Sequence, residues 1–427
     1  MVALNVGSAL MDKVLELSGQ IEAEVIRIRR DIHKHPELSF KEERTARLVA
    51  DRLRRMGVKV TGGIAGNGVM GILEGRCAGK TVALRADMDA LPLQENTGLA
   101  FESVNPGVMH ACGHDFHTAN LLGVAYVLSN MRQEWAGTLK LIFQTGEENG
   151  GGAREMIKEG ILDTPRVEAL VGMHVLPAPM GYLSLGYGAS TAYSDRITLT
   201  IKGKKAHTSK PQEGVDAIGI AAQVINALQT VLTRQIDPTE TATFSFGKIN
   251  GGTASNIVPD FVEIVGTMRC FSLDIRETIQ AGISKIASSI AAGMGGECEV
   301  VFREGYPAVV NDERLTNIVK DVAYSLYGVI GERAPGVISG PGQAMIKIDG
   351  PRLAAEDFGF YSRKVPSCLY WLGIGNRISL HSSDFTVDED VAKIALPLMS
   401  LTALALLQGN DRQGASPLEI PARQPAS

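Results

Sequence analysis

Cysteine is scarce: five residues, at positions 77, 112, 270, 298 and 368, with no C-x-x-C spacing among them. That excludes a disulfide framework and a zinc ribbon, and any functional cysteine must act singly. Basic runs are absent too, since no stretch of Lys/Arg exceeds two residues and 42 basic side chains face 47 acidic ones, a net charge of -5. Nothing in that balance points to a nucleic acid or an anionic membrane as partner, which leaves a small-molecule or peptide substrate. Long hydrophobic runs are missing as well. The longest, 394 to 407, is broken by Pro397, Ser400 and Thr402 and falls short of the roughly 20 residues of a membrane span, so a buried terminal helix is expected. The first dozen residues lack a basic segment followed by an apolar core and a cleavage site, so the expected location is the cytoplasm. What is plentiful is ordinary: 44% apolar residues, 21% charged and 47 glycines in 427 positions, a globular chain of two or three domains.

Apolar spacing predicts helices over 12–33 and 40–56, separated by His35-Pro36. Short β-rich runs follow at 69–73, 81–85, 139–144 and 169–174, with helical patterns at 115–132 and 152–159 between them. Alternating strand and helix is the signature of an α/β domain with a mostly parallel sheet, whose sites lie beyond the carboxyl ends of the strands. From about 190 the texture changes to alternating runs at 196–202, 241–248 and 261–268 with helices at 217–233 and 275–292, after which helix 312–327, strand 367–373 and a helix from about 388 to 407 resume the first pattern. The expected fold is therefore α/β, a mixed, mostly parallel sheet flanked by helices, interrupted by an α+β insert. The boundaries read 1–189, 190–303 and 304–408, with a disordered tail over 409–427.

The densest chemistry is Met109-His110-Ala111-Cys112-Gly113-His114-Asp115-Phe116-His117. Cys112 and His114, two apart across a glycine, can face one ion if the backbone turns, and thiolate with imidazole suits zinc or, with carboxylates added, manganese, cobalt or nickel. A nucleophilic Cys112 activated by histidine and a buried structural cysteine are the rival readings. Carboxylates come from Gly146-Glu147-Glu148 at a strand end, where a turn at Gly146 lets one glutamate ligate and the other act as general base. His174 and His381 also end or follow strands. Added to Cys112, His114 and Glu148 they make five ligands, too many for one tetrahedral ion and suited to two. Asp87 and Asp89, in Arg85-Ala86-Asp87-Met88-Asp89, read equally as groups orienting a ligand or as turn residues.

Taken together these segments resemble the M20 metallopeptidase family, and within it the branch of hippurate hydrolases, N-acyl-amino-acid amidohydrolases and auxin-conjugate hydrolases. The resemblance extends over Arg30 to Leu38, Arg85 to Pro92, His110 to His117, Gly146 to Glu148, Gly172 to His174, Gly203 to His207, Ser255 to Asp260, Gly266 to Arg269, Ala355 to Phe358 and His381. It implies two divalent ions (Mn, Zn, Co or Ni) held by Cys112, His114, Glu148, His174 and His381, with Glu147 as base and proton shuttle and Asp89 supporting the site. It implies that the insert is a lid and dimerisation domain whose His207 and Asn256 contact substrate, often from the partner subunit of a homodimer. The activity so implied is hydrolysis of an N-acyl or N-aroyl amino acid to a carboxylic acid and a free amino acid; a metallocarboxypeptidase or dipeptidase of the same family is the nearest alternative. A cysteine hydrolase using Cys112 and His114 and a non-catalytic binding protein are the alternatives of other classes. His33 and His35 receive no ligand role, helix termination before Pro36 accounting for them.

Overall fold

A computed structural model of the chain describes residues 8–409; the tail expected over 409–427 lies, Gly409 apart, outside them. The chain opens with α1 (Ser8–Lys34), α2 (Glu43–Arg55), β1 (Lys59–Ile64), β2 (Gly68–Glu74), β3 (Thr81–Asp87), α3 (His114–Ser129), β4 (Thr138–Gln144), α4 (Gly152–Lys158), β5 (Ala169–Leu176) and β6 (Leu183–Leu185). The middle holds β7 (Gly188–Ala189), β8 (Tyr193–Lys202), β9 (Ala206–His207), α5 (Ala217–Arg234), β10 (Ala242–Gly251), β11 (Ile257–Val258), β12 (Phe261–Cys270), α6 (Leu273–Gly293) and β13 (Glu297–Glu304). It closes with β14 (Val310–Asn311), α7 (Glu313–Arg333), β15 (Ile346–Ile348), α8 (Gly359–Ser362), β16 (Ser367–Gly373) and α9 (Ala392–Gln408).

Eight strands form one sheet in the order β1-β2-β4-β3-β5-β16-β6-β15. Its centre, β4-β3-β5-β16, is parallel, while β1, β2 and β6 join antiparallel to their inner neighbours. The parallel strands are covered on both faces, which is why they read as continuous apolar runs. Alternate residues serve the two sides: Val82, Leu84 and Ala86 face the main core under α1, α3, α7 and α9, and Ala83 faces a smaller core with Met156 of α4 and Tyr361 of α8. The stretch Glu389–Gln408, 20 residues of mean hydropathy 1.7, is long and apolar enough to cross a membrane by length and composition, but 89% of that window is buried inside the protein. It is a core helix, as its broken apolar run predicts.

The insert has its own core. Its antiparallel sheet, β10-β12-β8-β13, turns Ile197, Leu199, Val262, Ile264 and Met268 toward Ile220, Val224, Ile279 and Ile283 of α5 and α6. Two strands link it to the larger sheet as one ribbon: β7 pairs with β14, Ser190 N donates to Val309 O at 2.8 Å, Ser194 N donates to Tyr306 O at 2.9 Å, and β8 then pairs with β13. The fold class is the expected one, an α/β sheet flanked by helices with an α+β insert. Sequence periodicity missed β1, whose Gly62-Gly63 bulge and exposed side chains leave no apolar alternation, and β13, a largely exposed edge strand rich in glutamate.

Candidate active site

Parallel strands carry their C-terminal ends to one edge, and the chemistry gathers there. Asp87 ends β3 and Asp89 follows it, the Glu147-Glu148 turn follows β4, His174 lies near the end of β5, and His381 follows β16. Two glycines make the approach possible. Gly113, at φ 83° just ahead of α3, has Val175 Cγ2 only 2.5 Å from where a Cβ would stand, so the chain turns there without a side chain and presents Cys112 and His114 to one side. Gly146, at φ 65°, has the Phe40 ring 2.6 Å from its missing Cβ, and this is the turn that the adjacent glutamates require. His381 itself has φ 62°, a costly conformation for a non-glycine residue and of the kind found at functional sites; its N–H donates to Ala111 O at 2.8 Å.

The hydrogen bonds set which ring nitrogen each histidine presents. His114 Nδ1 is 2.9 Å from the Asp89 carbonyl oxygen and 3.2 Å from its carboxylate, and His174 Nδ1 is 2.7 Å from the Val175 carbonyl oxygen. With each Nδ1 so engaged, Nε2 is the ring atom each histidine has to offer to a cation. Those atoms converge with others: His174 Nε2 is 3.5 Å from Cys112 Sγ, His114 Nε2 is 3.9 Å from Glu148 Oε1, and His381 Nε2 is 3.3 Å from that same oxygen. Donor atoms of Cys112, His114 and His174, and separately of Cys112, Glu148 and His381, lie within 4.8 Å of one another. His114 Nε2 and Glu148 Oε1 are buried without a hydrogen bond of acceptable geometry. Orphaned buried groups cost about 1–3 kcal/mol each, and a cation between these donors satisfies both.

Electrostatics point the same way. Burial opposes a charge on His114, yet Asp87 and Asp89 outweigh it and hold the ring up at about 10; the surroundings are built to keep positive charge at that position. Burial, reinforced by Glu148 and Glu147, pushes the Cys112 thiol well up, the opposite of what a free nucleophilic thiolate needs. Burial also holds His174 neutral. Glu147 is pushed well above the usual carboxylate range by burial and by Glu356, Glu148 and Asp357. Asp87 and Asp89 are not plain turn residues: Asp87 accepts from His117 Nδ1 at 2.6 Å and from Arg85 at 2.6 Å, and Asp89 Oδ2 accepts from Glu148 N at 2.9 Å and Ser39 Oγ at 2.6 Å.

Several contributors escaped the sequence reading. Arg85, buried, spans Gln144, Asp87, Glu356 and Asp357 at 2.6–3.0 Å, and Asp357 N donates to Glu147 Oε1 at 3.3 Å. The Arg85–Pro92 and Ala355–Phe358 motifs both touched this network in sequence, but neither gave a role to Arg85, Glu356 or Asp357. Glu42, fully buried, accepts from Thr145 Oγ1 and Gly146 N at 2.5 and 2.8 Å. His33 is more than a helix end, since it lies buried between Asp115 and Glu95 at 3.0 and 2.9 Å. Cys112, Glu147, Glu148, His174 and His381 all line one cleft of about 450 Å³, joined by Arg269, Tyr306 and an apolar wall of Ala354, Ala355, Trp371 and Leu380. His207 and Asn256 are absent from that lining. Both are exposed: His207 ends β9 and faces Ile257 of β11 across the register, and Asn256 stands in the turn just before β11 with its carbonyl accepting from Thr208 N at 3.2 Å, so the fold brings these two together but not into the lining of that cleft.

The sequence profile of Peptidase family M20/M25/M40 matches residues 83–405. Thermostable carboxypeptidase 1 of Saccharolobus solfataricus is 39% identical, covering 92% of this chain and 98% of its own. N-acyl-L-amino acid amidohydrolase of Geobacillus stearothermophilus is 40% identical over 70% of this chain and 81% of its own. Among solved structures, a dinuclear metal binding peptidase of the M20 family from Bacillus subtilis superposes with a TM-score of 0.79 at 33% identity, covering 91% of this chain and 99% of that one.

Proposed function

This chain belongs to peptidase family M20/M25/M40, hydrolases of amide and peptide bonds, and from that premise we propose that it is a two-metal amidohydrolase cleaving N-acyl or N-aroyl amino acids. The observation that carries the reading is the gathering of donor atoms of Cys112, His114, Glu148, His174 and His381, with the orphaned His114 Nε2 and Glu148 Oε1 among them, beside Glu147 as a further carboxylate. Bound by those five side chains, divalent ions supply Lewis-acid polarisation of the scissile carbonyl and make water a stronger acid.

The chain's own residues do the rest. Glu147 takes a proton from the attacking water on a carboxylate oxygen and delivers it to the leaving amine nitrogen; its raised proton affinity suits a group that must both accept and return a proton. Asp357 N holds that carboxylate at 3.3 Å, and Asp89 fixes both the His114 ring and the Glu148 backbone. The wall of Ala354, Ala355, Trp371 and Leu380 offers apolar surface to an acyl or aroyl group. We further propose a cytoplasmic homodimer in which His207 and Asn256 reach the partner's cleft; that neither lines the cleft of its own chain supports this. A carboxypeptidase activity is the second reading, favoured by the similarity to the Saccharolobus enzyme.

The test is hydrolysis of a panel of N-acetyl and N-benzoyl amino acids and of dipeptides by metal-reconstituted protein. Turnover of the N-acyl compounds, lost on chelation and restored by divalent ions, is the expected result. Preference for dipeptides selects the second reading, and activity that survives chelation but not thiol alkylation overturns both.

A further inference from the structure

The turn that carries Glu147 is gripped from two sides. On the inner side the grip is fixed. Glu42, just ahead of α2, accepts from Thr145 Oγ1 and Gly146 N, and the Phe40 ring fills the space that Cβ atoms at Gly146 and Gly150 would need, 2.6 and 2.8 Å away. On the outer side the grip comes from the ribbon that joins the insert to the large sheet. Tyr306 lies between β13 and β14; its phenol donates to the Glu147 carbonyl oxygen, and its ring meets Phe360 edge-on at 6.2 Å between centroids. Its own carbonyl accepts from Ser194 N at 2.9 Å in the opposite strand of the ribbon. That strand runs so close that a Cβ on Gly305 would stand 2.1 Å from Ser194 O.

We propose that Tyr306 is a positioning residue for Glu147, tying the turn of the base to the ribbon that carries the insert, so that the insert's placement sets where the carboxylate stands. The proposal rests on the reading of Glu147 as base. Backbone oxygen and side chain belong to one residue; Asp89 holds the turn at Glu148 N, and the phenol holds it from the cleft side at the Glu147 carbonyl itself. Thr145 and Gly146 are held by Glu42, whereas the Glu147 carbonyl is held by Tyr306. Among the described residues the ring lines the cleft beside Glu147, but the hydroxyl is already committed to the protein backbone.

Tyr306→Phe keeps the ring and its packing and removes only the hydroxyl. On metal-loaded protein kcat is expected to fall about tenfold, since small misplacements of a reacting group carry penalties of that order and more. KM should stay within about twofold, bound metal should be unchanged, and the solvent deuterium isotope effect on kcat should rise as proton transfer becomes limiting. A merely structural loss lowers the active fraction and leaves the isotope effect where it was. Glu147→Asp withdraws the carboxylate by one methylene, and in that background Tyr306→Phe should cost much less than it does alone, because the two act through one group. An unchanged kcat, an equal loss in both backgrounds, or a loss that tracks the acyl group and raises KM overturns the proposal, the last by making Tyr306 a substrate contact. If Glu147→Asp and Glu147→Gln both turn over like the wild type, the reading of Glu147 as base is what has failed.

Discussion

At the scale of single residues, the site is a surplus of buried carboxylates arranged around fixed imidazoles. The same logic appears one layer out, at His33, where burial opposes the charge but hydrogen bonds to Asp115 and Glu95 outweigh it and push the imidazolium up to about 9. Its folded pKa lies above the unfolded value of about 6.5, so its stabilisation is fully present below that value and lost as pH rises through about 9. A shift of that size corresponds to at most about 3 kcal/mol. His33→Asn should therefore melt well below the wild type at pH 6 and close to it near pH 10, as thermal denaturation at the two pH values will show. A constant gap would mean that His33 contributes packing rather than charge.

Cys112 and His114 across one glycine, and the adjacent Glu147 and Glu148, were legible because their types are rare and their spacing is local, whereas His174 and His381 joined them only through their places at strand ends and the family resemblance. Of their supporting groups, Asp87 and Asp89 were in view and the others were not. Arg85 and Glu356 are 271 positions apart and meet at 3.0 Å, Glu42 and Gly146 are 104 apart, and no periodicity or motif spacing records such a meeting. A buried arginine in an apolar strand is visible as a type, but its partners become visible only once β3 and β4 are laid side by side.

At the scale of elements, the site depends on turns more than on strands. The central strands follow from continuous apolar runs and the helices from 3.6-residue spacing, so the sheet was legible; β1 was not, because its exposed side chains leave no buried face to print on the sequence, and β13 was not, because its inward face is only the half-buried Cys298, Val300 and Phe302 among exposed glutamates. The Glu147 turn offers a clean test. Gly146→Ala forces a side chain into a left-handed conformation and against Phe40, whereas Gly98→Ala, at φ 68°, adds the same backbone cost with nothing within 4 Å of its Cβ. Both should lose about 1 kcal/mol or more of stability from the conformation alone. Only Gly146→Ala should also lower kcat, by about tenfold or more, because it shifts the base; equal kcat in the two variants would show that the turn does not place Glu147.

At the scale of the whole molecule, the insert holds together His207, at the end of β9, and Asn256, just before β11, outside the lining of the cleft of their own chain. If a partner chain supplies them, His207→Ala retains metal and loses turnover by about 10² to 10³, the usual worth of an oxyanion donor. Mixing it with Glu147→Gln under subunit exchange then rebuilds one intact site in each mixed dimer, with recovery of up to about a quarter of wild-type activity for random exchange. No recovery after verified exchange would place His207 in the service of its own subunit or outside catalysis.

The central claim is a division of labour between adjacent glutamates, Glu148 holding metal and Glu147 moving the proton. Divalent metal counted per chain in Glu147→Gln, with turnover measured on the same sample, tests it most directly. The account predicts the wild-type metal content, two ions per chain by the present reading, with nearly all turnover lost, because the amide cannot take up the proton while the donor set of Cys112, His114, Glu148, His174 and His381 is intact. Metal content falling together with turnover would make Glu147 a ligand and contradict the account.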